Sequence, residues 1–313
     1  MRAYLIRRIL ATIPVMAVVT VFVFALLRIA PGDPAALIAG DNATSEDIAR
    51  IRAALGLDKP IVVQLGLWIG SLASGDLGTS IYSRLPVTHL IGQRIEPTLM
   101  LSLTTLLVAV GLAVPLGVLA AWKAGTWVDR AVMLFAVLGF SLPVFWLGFL
   151  FIYGFSIKLQ WLPVQGFVSP MEDPVSFLQH MVLPSLTLGT VYMALIARIT
   201  RASVLEVLSQ DYIRTAHAKG VGERRVLWHH ALKNASVPIV TIIGIGVALL
   251  IGGVVVTESV FAIPGLGRLT VDSILHRDYP VIQGIILVFS SVYVLVNLLV
   301  DLSYTFLDPR IRY

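Results

Sequence analysis

The side chains able to do chemistry are sparse in this sequence, and most of them gather in one place. Between Glu206 and Pro238 the cations Arg214, Lys219, Arg224, Arg225 and Lys233 stand among only three acids, Glu206, Asp211 and Glu223. Gly220 and Gly222 punctuate the middle of this stretch and good helix formers flank them, which predicts helix, glycine turn, helix. Such a basic element has two uses beside a bilayer. It can be held on the inner face by the positive-inside rule, its helices lying on anionic lipid, or it can dock a soluble partner.

The remaining candidates are isolated. Asp301 is the one acid deep in an apolar run; an intramembrane carboxylate can relay protons, or pair with a cation near the interface, and its nearness to Arg310 favours pairing. Glu258 follows another apolar run and can line a substrate path or cap and pair at the surface. Tyr293 and Asn297 share a helix face with Asp301, as a pore-lining stripe or as interhelical glue. Gly244, Gly246, Gly252 and Gly253 suit close helix packing. The histidines 89, 180, 217, 229, 230 and 276 are scattered, and the adjacent pair His229 and His230 would point about 100° apart on a helix, a poor start for a metal site.

With 0 cysteines there is no thiolate site and no disulfide. There is no His-Glu-x-x-His, no Gly-x-Ser-x-Gly and no Gly-x-x-x-x-Gly-Lys-Ser/Thr loop. No catalytic residue, metal or cofactor is therefore expected of this chain, and any nucleotide that drives it must be bound by another. The net charge of +5 reflects cations placed beside apolar segments, which is a topological pattern and not a nucleic-acid footprint.

What must position these residues is a membrane. The chain is 57% hydrophobic and 13% charged, whereas a soluble domain is nearer a quarter charged. Six apolar runs are expected to span: Ile9–Ala30, Leu99–Trp122, Ala131–Ile157, Met181–Ile199, Val237–Val256 and Val281–Phe306. The first, preceded by Arg2, Arg7 and Arg8, reads as a retained helix and not a cleaved signal. Six spans put both termini on one side. Counting Lys and Arg in the loops assigns 13 to that side and 8 to the other, which makes the termini cytoplasmic. Residues 1–30 then form the first helix and 31–97 an external loop with short helices at Glu46–Leu55 and Ile61–Leu72. A five-helix core follows at 98–306, carrying the loop 206–236, and 307–313 is a cytoplasmic tail.

The spacing around Gly220 resembles a family. Permeases of bacterial ABC importers carry Glu-Ala-Ala, three residues, Gly, nine residues, then Ile-x-Leu-Pro. Arg214, Thr215 and Ala216 occupy the first three positions and Leu232 the Leu, while His230 and Lys233 replace the Ile and Pro. The fuller strings Asp211-Tyr212-Ile213-Arg214-Thr215-Ala216, Ala218-Lys219-Gly220 and Glu223-Arg224-Arg225-Val226-Leu227 look like the variant in permeases for dipeptides, oligopeptides, glutathione and nickel. Pro31-Gly32-Asp33-Pro34, Gly56-Leu57-Asp58-Lys59-Pro60, Gly75-Asp76-Leu77-Gly78-Thr79-Ser80, Pro264-Gly265-Leu266-Gly267 and Asp308-Pro309-Arg310-Ile311-Arg312 are similar to that family's punctuation.

The resemblance implies an all-α, type I importer transmembrane domain in the bacterial inner membrane. Its implied partners are a second, homologous permease, two cytoplasmic ATPase subunits that bind ATP and Mg, an external solute-binding protein, and lipid. It implies ATPase coupling through Asp211, Tyr212, Arg214, Thr215, Ala216, Lys219, Gly220 and Gly222, and peptide or glutathione as cargo, with nickel or another small solute as the alternative. A proton-coupled secondary transporter is the more distant rival; it should show several intramembrane acids and an internal repeat.

Overall fold

The computed structural model describes residues 2–29, 35–36, 44–54 and 56–307. The Pro31–Pro34 stop, Leu55, and the 308–312 signature with Arg310 lie outside them. Among the described residues the chain is helical, with only an isolated bridge between Thr79 and Pro86. Among those residues five helices are long and apolar enough to cross a membrane, and a bent pair supplies a sixth crossing if taken as one span.

Two compact units make up the chain. One is built chiefly from Glu96–Arg268 and the other from Ile6–Ile95 with Leu269–Val294. The first is organised around the helix Pro174–Leu208, longer than the expected Met181–Ile199 at both ends. Its start is well specified: Pro174 takes the first position and Asp173 Oδ1 accepts from the amides of Val175 (3.0 Å) and Ser176 (3.1 Å). At 35 residues it is roughly 50 Å long, well beyond the hydrocarbon thickness, so polar residues ride on its last turns.

Around it pack Val87–Trp122, Trp127–Ser141, Val144–Phe151 and Ser236–Val260. Small residues set the approach. A Cβ on Gly117 would lie 2.6 Å from Thr200 Cβ and 2.7 Å from the Ala197 carbonyl, and one on Gly139 would lie 2.9 Å from Thr190 Cγ2. The Ser185 hydroxyl donates to Thr104 Oγ1 at 2.7 Å across the same seam. Among lipid tails, which are as apolar as leucine, such close contact and such hydroxyl bonds hold helices together. Of the glycines expected to pack, Gly244 meets Val300 and Gly253 meets Leu188, whereas Gly252 has open space beside it.

Two span expectations need correction. The run Ala131–Ile157 is not one straight helix: Trp127–Ser141 and the stretch from Val144 to Lys158 meet at 107°. Leu142, forced towards extended backbone by Pro143, sits at φ −86° and ψ 133° and ends the first helix. The second half finishes in a π-helical segment, Ile152–Lys158. The second span begins at Val87 and not Leu99, running through Pro97 and Pro115. Each proline deletes one ladder bond without stopping so long a helix. Smaller shifts give Arg2–Ile29, Ser236–Val260 and Tyr279–Leu307 for the first, fifth and last runs.

In the other unit the short helices fall at Ser45–Ala54 and Ile61–Ala73. Asp278 is buried and gathers the 80–86 turn: it accepts from the Ser80 hydroxyl and from the Ile81 amide at 3.0 Å. Gln283 donates to the Val23 carbonyl at 2.9 Å, and Phe24 meets Trp68 with ring centres 5.6 Å apart.

The seam gives a first prediction. Gly117→Ala should lower the stability of the detergent-solubilised chain by about 1–3 kcal/mol, since neither Thr200 nor the Ala197 backbone can move aside. Gly111→Ala, with open space beside it, should be near neutral in the same thermal melt.

Candidate functional site

The basic stretch folds as helix, glycine turn, helix. After Leu208 the chain breaks at Ser209, whose hydroxyl donates to the Glu206 carbonyl at 2.7 Å, so Glu206 still belongs to the long helix. The helix Asp211–Ala218 follows. Ile213, 2% exposed, is its anchor, and Asp211, Tyr212, Arg214, Thr215 and His217 all face outwards. Partial burial pushes the Tyr212 phenol above its ordinary pKa, and a hydrogen bond with Asn234 draws part of that back.

Gly220 closes the helix in the left-handed region at φ +75°. Its amide donates to the His217 carbonyl (2.9 Å) and the Val221 amide to the Ala216 carbonyl (3.1 Å), the two bonds of a Schellman C-cap. Gly222 then caps the next helix: its carbonyl accepts from the Arg225 amide at 2.9 Å and the Val226 amide at 3.1 Å. Nothing lies within 4 Å of the side-chain position at either glycine. The sequence-predicted residues therefore share one ridge, on which Asp211, Tyr212, Arg214, Thr215, Lys219, Gly220 and Gly222 are exposed and Ala216 is half-buried.

Beneath the ridge is apolar packing. The segment continues as Glu223–Arg225, a π-helical turn Val226–Ala231, and Leu232–Asn234. Leu227, Ala231 and Ala235 are buried against Val118 and Ala121, Val204, and Ile239. Those partners belong to three of the long helices, Val87–Trp122, Pro174–Leu208 and Ser236–Val260. The segment that carries the ridge is thus packed against three spans at once.

One ion pair that sequence reasoning missed strengthens the unit that carries this ridge. Asp129 takes Arg201 in a bidentate grip, Nε to Oδ1 at 2.5 Å and an Nη to Oδ2 at 2.7 Å, and accepts the Gly125 amide at 2.9 Å. Its side chain is only 6% exposed against 26% for Arg201. Asp129 lies in the first turn of its helix, where the helix dipole also favours an acid. That position was the available signal; the partner, 72 residues away, was not.

The other candidates are not brought together with the ridge. Glu258 is fully buried, accepting from the Thr98 hydroxyl at 2.6 Å and the Arg268 amide at 2.9 Å. Tyr293 and Asn297 are exposed and Asp301 is half-buried, at four-residue intervals on the last helix. Among the described residues no three His, Cys, Asp or Glu side chains cluster closely enough to hold a metal ion.

Comparison with known proteins decides the family. Residues 113–313 match the model described as a binding-protein-dependent transport system inner membrane component, and residues 1–102 match its N-terminal counterpart. The chain belongs to that family. A probable peptide ABC transporter permease of Sinorhizobium fredii is 53% identical over 313 residues, with 100% of both chains covered. A glutathione transport system permease of Escherichia coli is 47% identical over 310 residues, 99% of each chain. A dipeptide transport system permease of Alkalihalophilus pseudofirmus is 40% identical over 333 residues, 100% of each.

Among solved structures, the methionine ABC transporter MetNI in an inward-facing form matches with a TM-score of 0.59 at 17% identity, covering 71% of this chain and 97% of that one. That likeness shows the fold alone, the type I importer permease fold. The protein is a multi-pass inner-membrane permease and a non-catalytic subunit of an ABC importer. Membership implies ATPase subunits and a solute-binding protein as partners.

Asp129→Ala should strand Arg201 and the Gly125 amide. The expected loss is about 2 kcal/mol, less than for a wholly buried pair because Arg201 is part-exposed. Thermal unfolding of Asp129→Ala, Arg201→Ala and the double variant should show strong coupling, the double costing much less than the sum.

Proposed function

We propose that this permease imports di- or oligopeptides, glutathione among them, and that the Asp211–Gly222 ridge is where separate ATPase subunits grip it. The observation that carries this reading is mechanical. An exposed, rigidly capped helix and turn stands on an apolar cluster shared by three spans. A membrane-surface helix needs no such buttress, but a lever does. The near-full-length identity to permeases named for peptide, dipeptide and glutathione transport supports the cargo class.

In this reading the termini and the ridge are cytoplasmic, residues 31–97 cap the outside, and a second, homologous permease completes the pathway. Tyr293, Asn297 and Asp301 on the last helix are candidates for lining it. ATP-driven closure of the ATPase pair pushes the ridge, and the helices switch between inward-open and outward-open packings. The chain contributes only the energy difference between two packings.

The test is uptake of a labelled dipeptide panel and glutathione by the reconstituted complex, driven by ATP or by a proton gradient in separate arms. ATP-dependent uptake is expected; uptake on the gradient alone refutes the reading. Variants at Gly220 localise the coupling. Asn tolerates the left-handed conformation, so Gly220→Asn should assemble and transport near the parent rate. Gly220→Trp projects bulk into space that is open in the chain itself. It should leave membrane insertion intact, yet lose ATPase co-purification or uncouple hydrolysis from uptake by about tenfold or more.

A further inference from the structure

Glu258 raises a question the coupling mechanism does not answer, since a carboxyl group is costly to bury. It sits at the end of Ser236–Val260, and the turn that follows folds back over it. Thr98 links the two: its hydroxyl donates to Glu258 Oε1 at 2.6 Å and accepts from the Leu266 amide at 2.7 Å. The second carboxyl oxygen accepts from the Arg268 amide at 2.9 Å, and the Glu258 carbonyl accepts from the Ile263 amide at 2.9 Å. Glu258, through its carboxyl group and its own carbonyl, and Thr98 together tie down Ile263, Leu266 and Arg268 of the turn.

That turn is inserted and not draped. Phe261, Ile263 and Leu266 are each at most 1% exposed. Phe261 packs beside the Gly148 position of another helix, and its carbonyl accepts from the Gly166 amide at 2.9 Å. Gly265 must be glycine, because a Cβ there would overlap the Glu258 carboxyl group; at Gly267 a Cβ would meet Val255 Cα at 2.6 Å. Ala262, a non-glycine residue, is held at φ +49°. Strain of that kind persists only where its surroundings over-determine it, and it collects at elements that switch.

We infer that residues 261–268 plug the outer end of the permease and that Glu258 is the latch: the pathway opens outwards only when its bonds to Thr98 and Arg268 are released. This rests on the proposed topology for the word outer, whereas the latch itself is a matter of geometry. A buried carboxyl group that accepts from both Thr98 and Arg268 makes withdrawal an all-or-none event, since donors and acceptor lose their partners together.

The test uses the reconstituted complex carrying Ile263→Cys, which is a clean reporter because the chain has 0 native cysteines. Glu258→Gln keeps the size but turns a donating amide towards a donor, and Thr98→Val deletes one arm while the Arg268 bond remains. Each should raise labelling of Ile263→Cys by an impermeant maleimide about tenfold without ATP, the shift expected when one buried hydrogen bond is lost from a two-state equilibrium. Each should also raise receptor-independent ATP hydrolysis several-fold while uptake falls, a gain that structural damage would not produce.

If Glu258→Gln does not assemble, Thr98→Val decides. Labelling and hydrolysis equal to the parent in the assembled variants would overturn the latch. Labelling confined to the ATPase side would overturn the topology and leave the latch standing, and a parent that takes up no peptide would count against the proposed function alone.

Discussion

The apolar cluster under the 211–222 ridge is what makes the rest of this structure usable. Leu227, Ala231 and Ala235 fill the space between Val118, Ala121, Val204 and Ile239, so a short polar element outside the spans is fixed to three helices within them. Without that cluster the ridge would be a basic surface loop. Ile213 alone would tie the short helix down, and eight residues are too few to hold a helix in water. The glycine at 220 serves the same end, since its left-handed backbone ends one helix cleanly enough for the next to return to the cluster.

The bilayer imposes the complementary constraint. Helices that cannot gain from burying apolar surface against one another must be held by close approach and by polar bonds made where no water competes. Gly117 against Thr200, the Ser185–Thr104 hydroxyl pair and Glu258 with Thr98 are three local solutions to that problem in one unit, and Asp129 joins helix to helix through the part-exposed Arg201. The ion pair and the carboxyl bond differ in consequence. Asp129 and Arg201 bind helix to helix, whereas Glu258 binds an inserted turn, the kind of element that can leave its seat.

Much of this could be read in advance, and the reasons are specific. Long apolar runs report the spans because hydrocarbon thickness sets their length, and the Gly220 and Gly222 spacing reports the turn because only certain residues adopt its backbone. The start of the second span at Val87 was hidden by His89, Gln93, Arg94 and Glu96, polar residues that look like loop but ride on a helix that continues past Pro97. The break at Leu142 was invisible in composition, since a proline in an apolar run fits a kink as well as a 107° bend. Asp129 eluded sequence because its partner lies 72 residues away, and Glu258, though singled out, could not be matched to Thr98, 160 residues away. Local pattern describes a residue's own helix; it is silent on what that helix will meet.

The central claim is that the ridge faces the cytoplasm and is covered by an ATPase. A chain with 0 cysteines allows Lys219→Cys to be read without background. An impermeant maleimide should label it in inverted membrane vesicles stripped of ATPase subunits, be blocked when those subunits are restored, and leave intact spheroplasts unlabelled. Labelling of Lys219→Cys from the outside of intact spheroplasts would contradict the account.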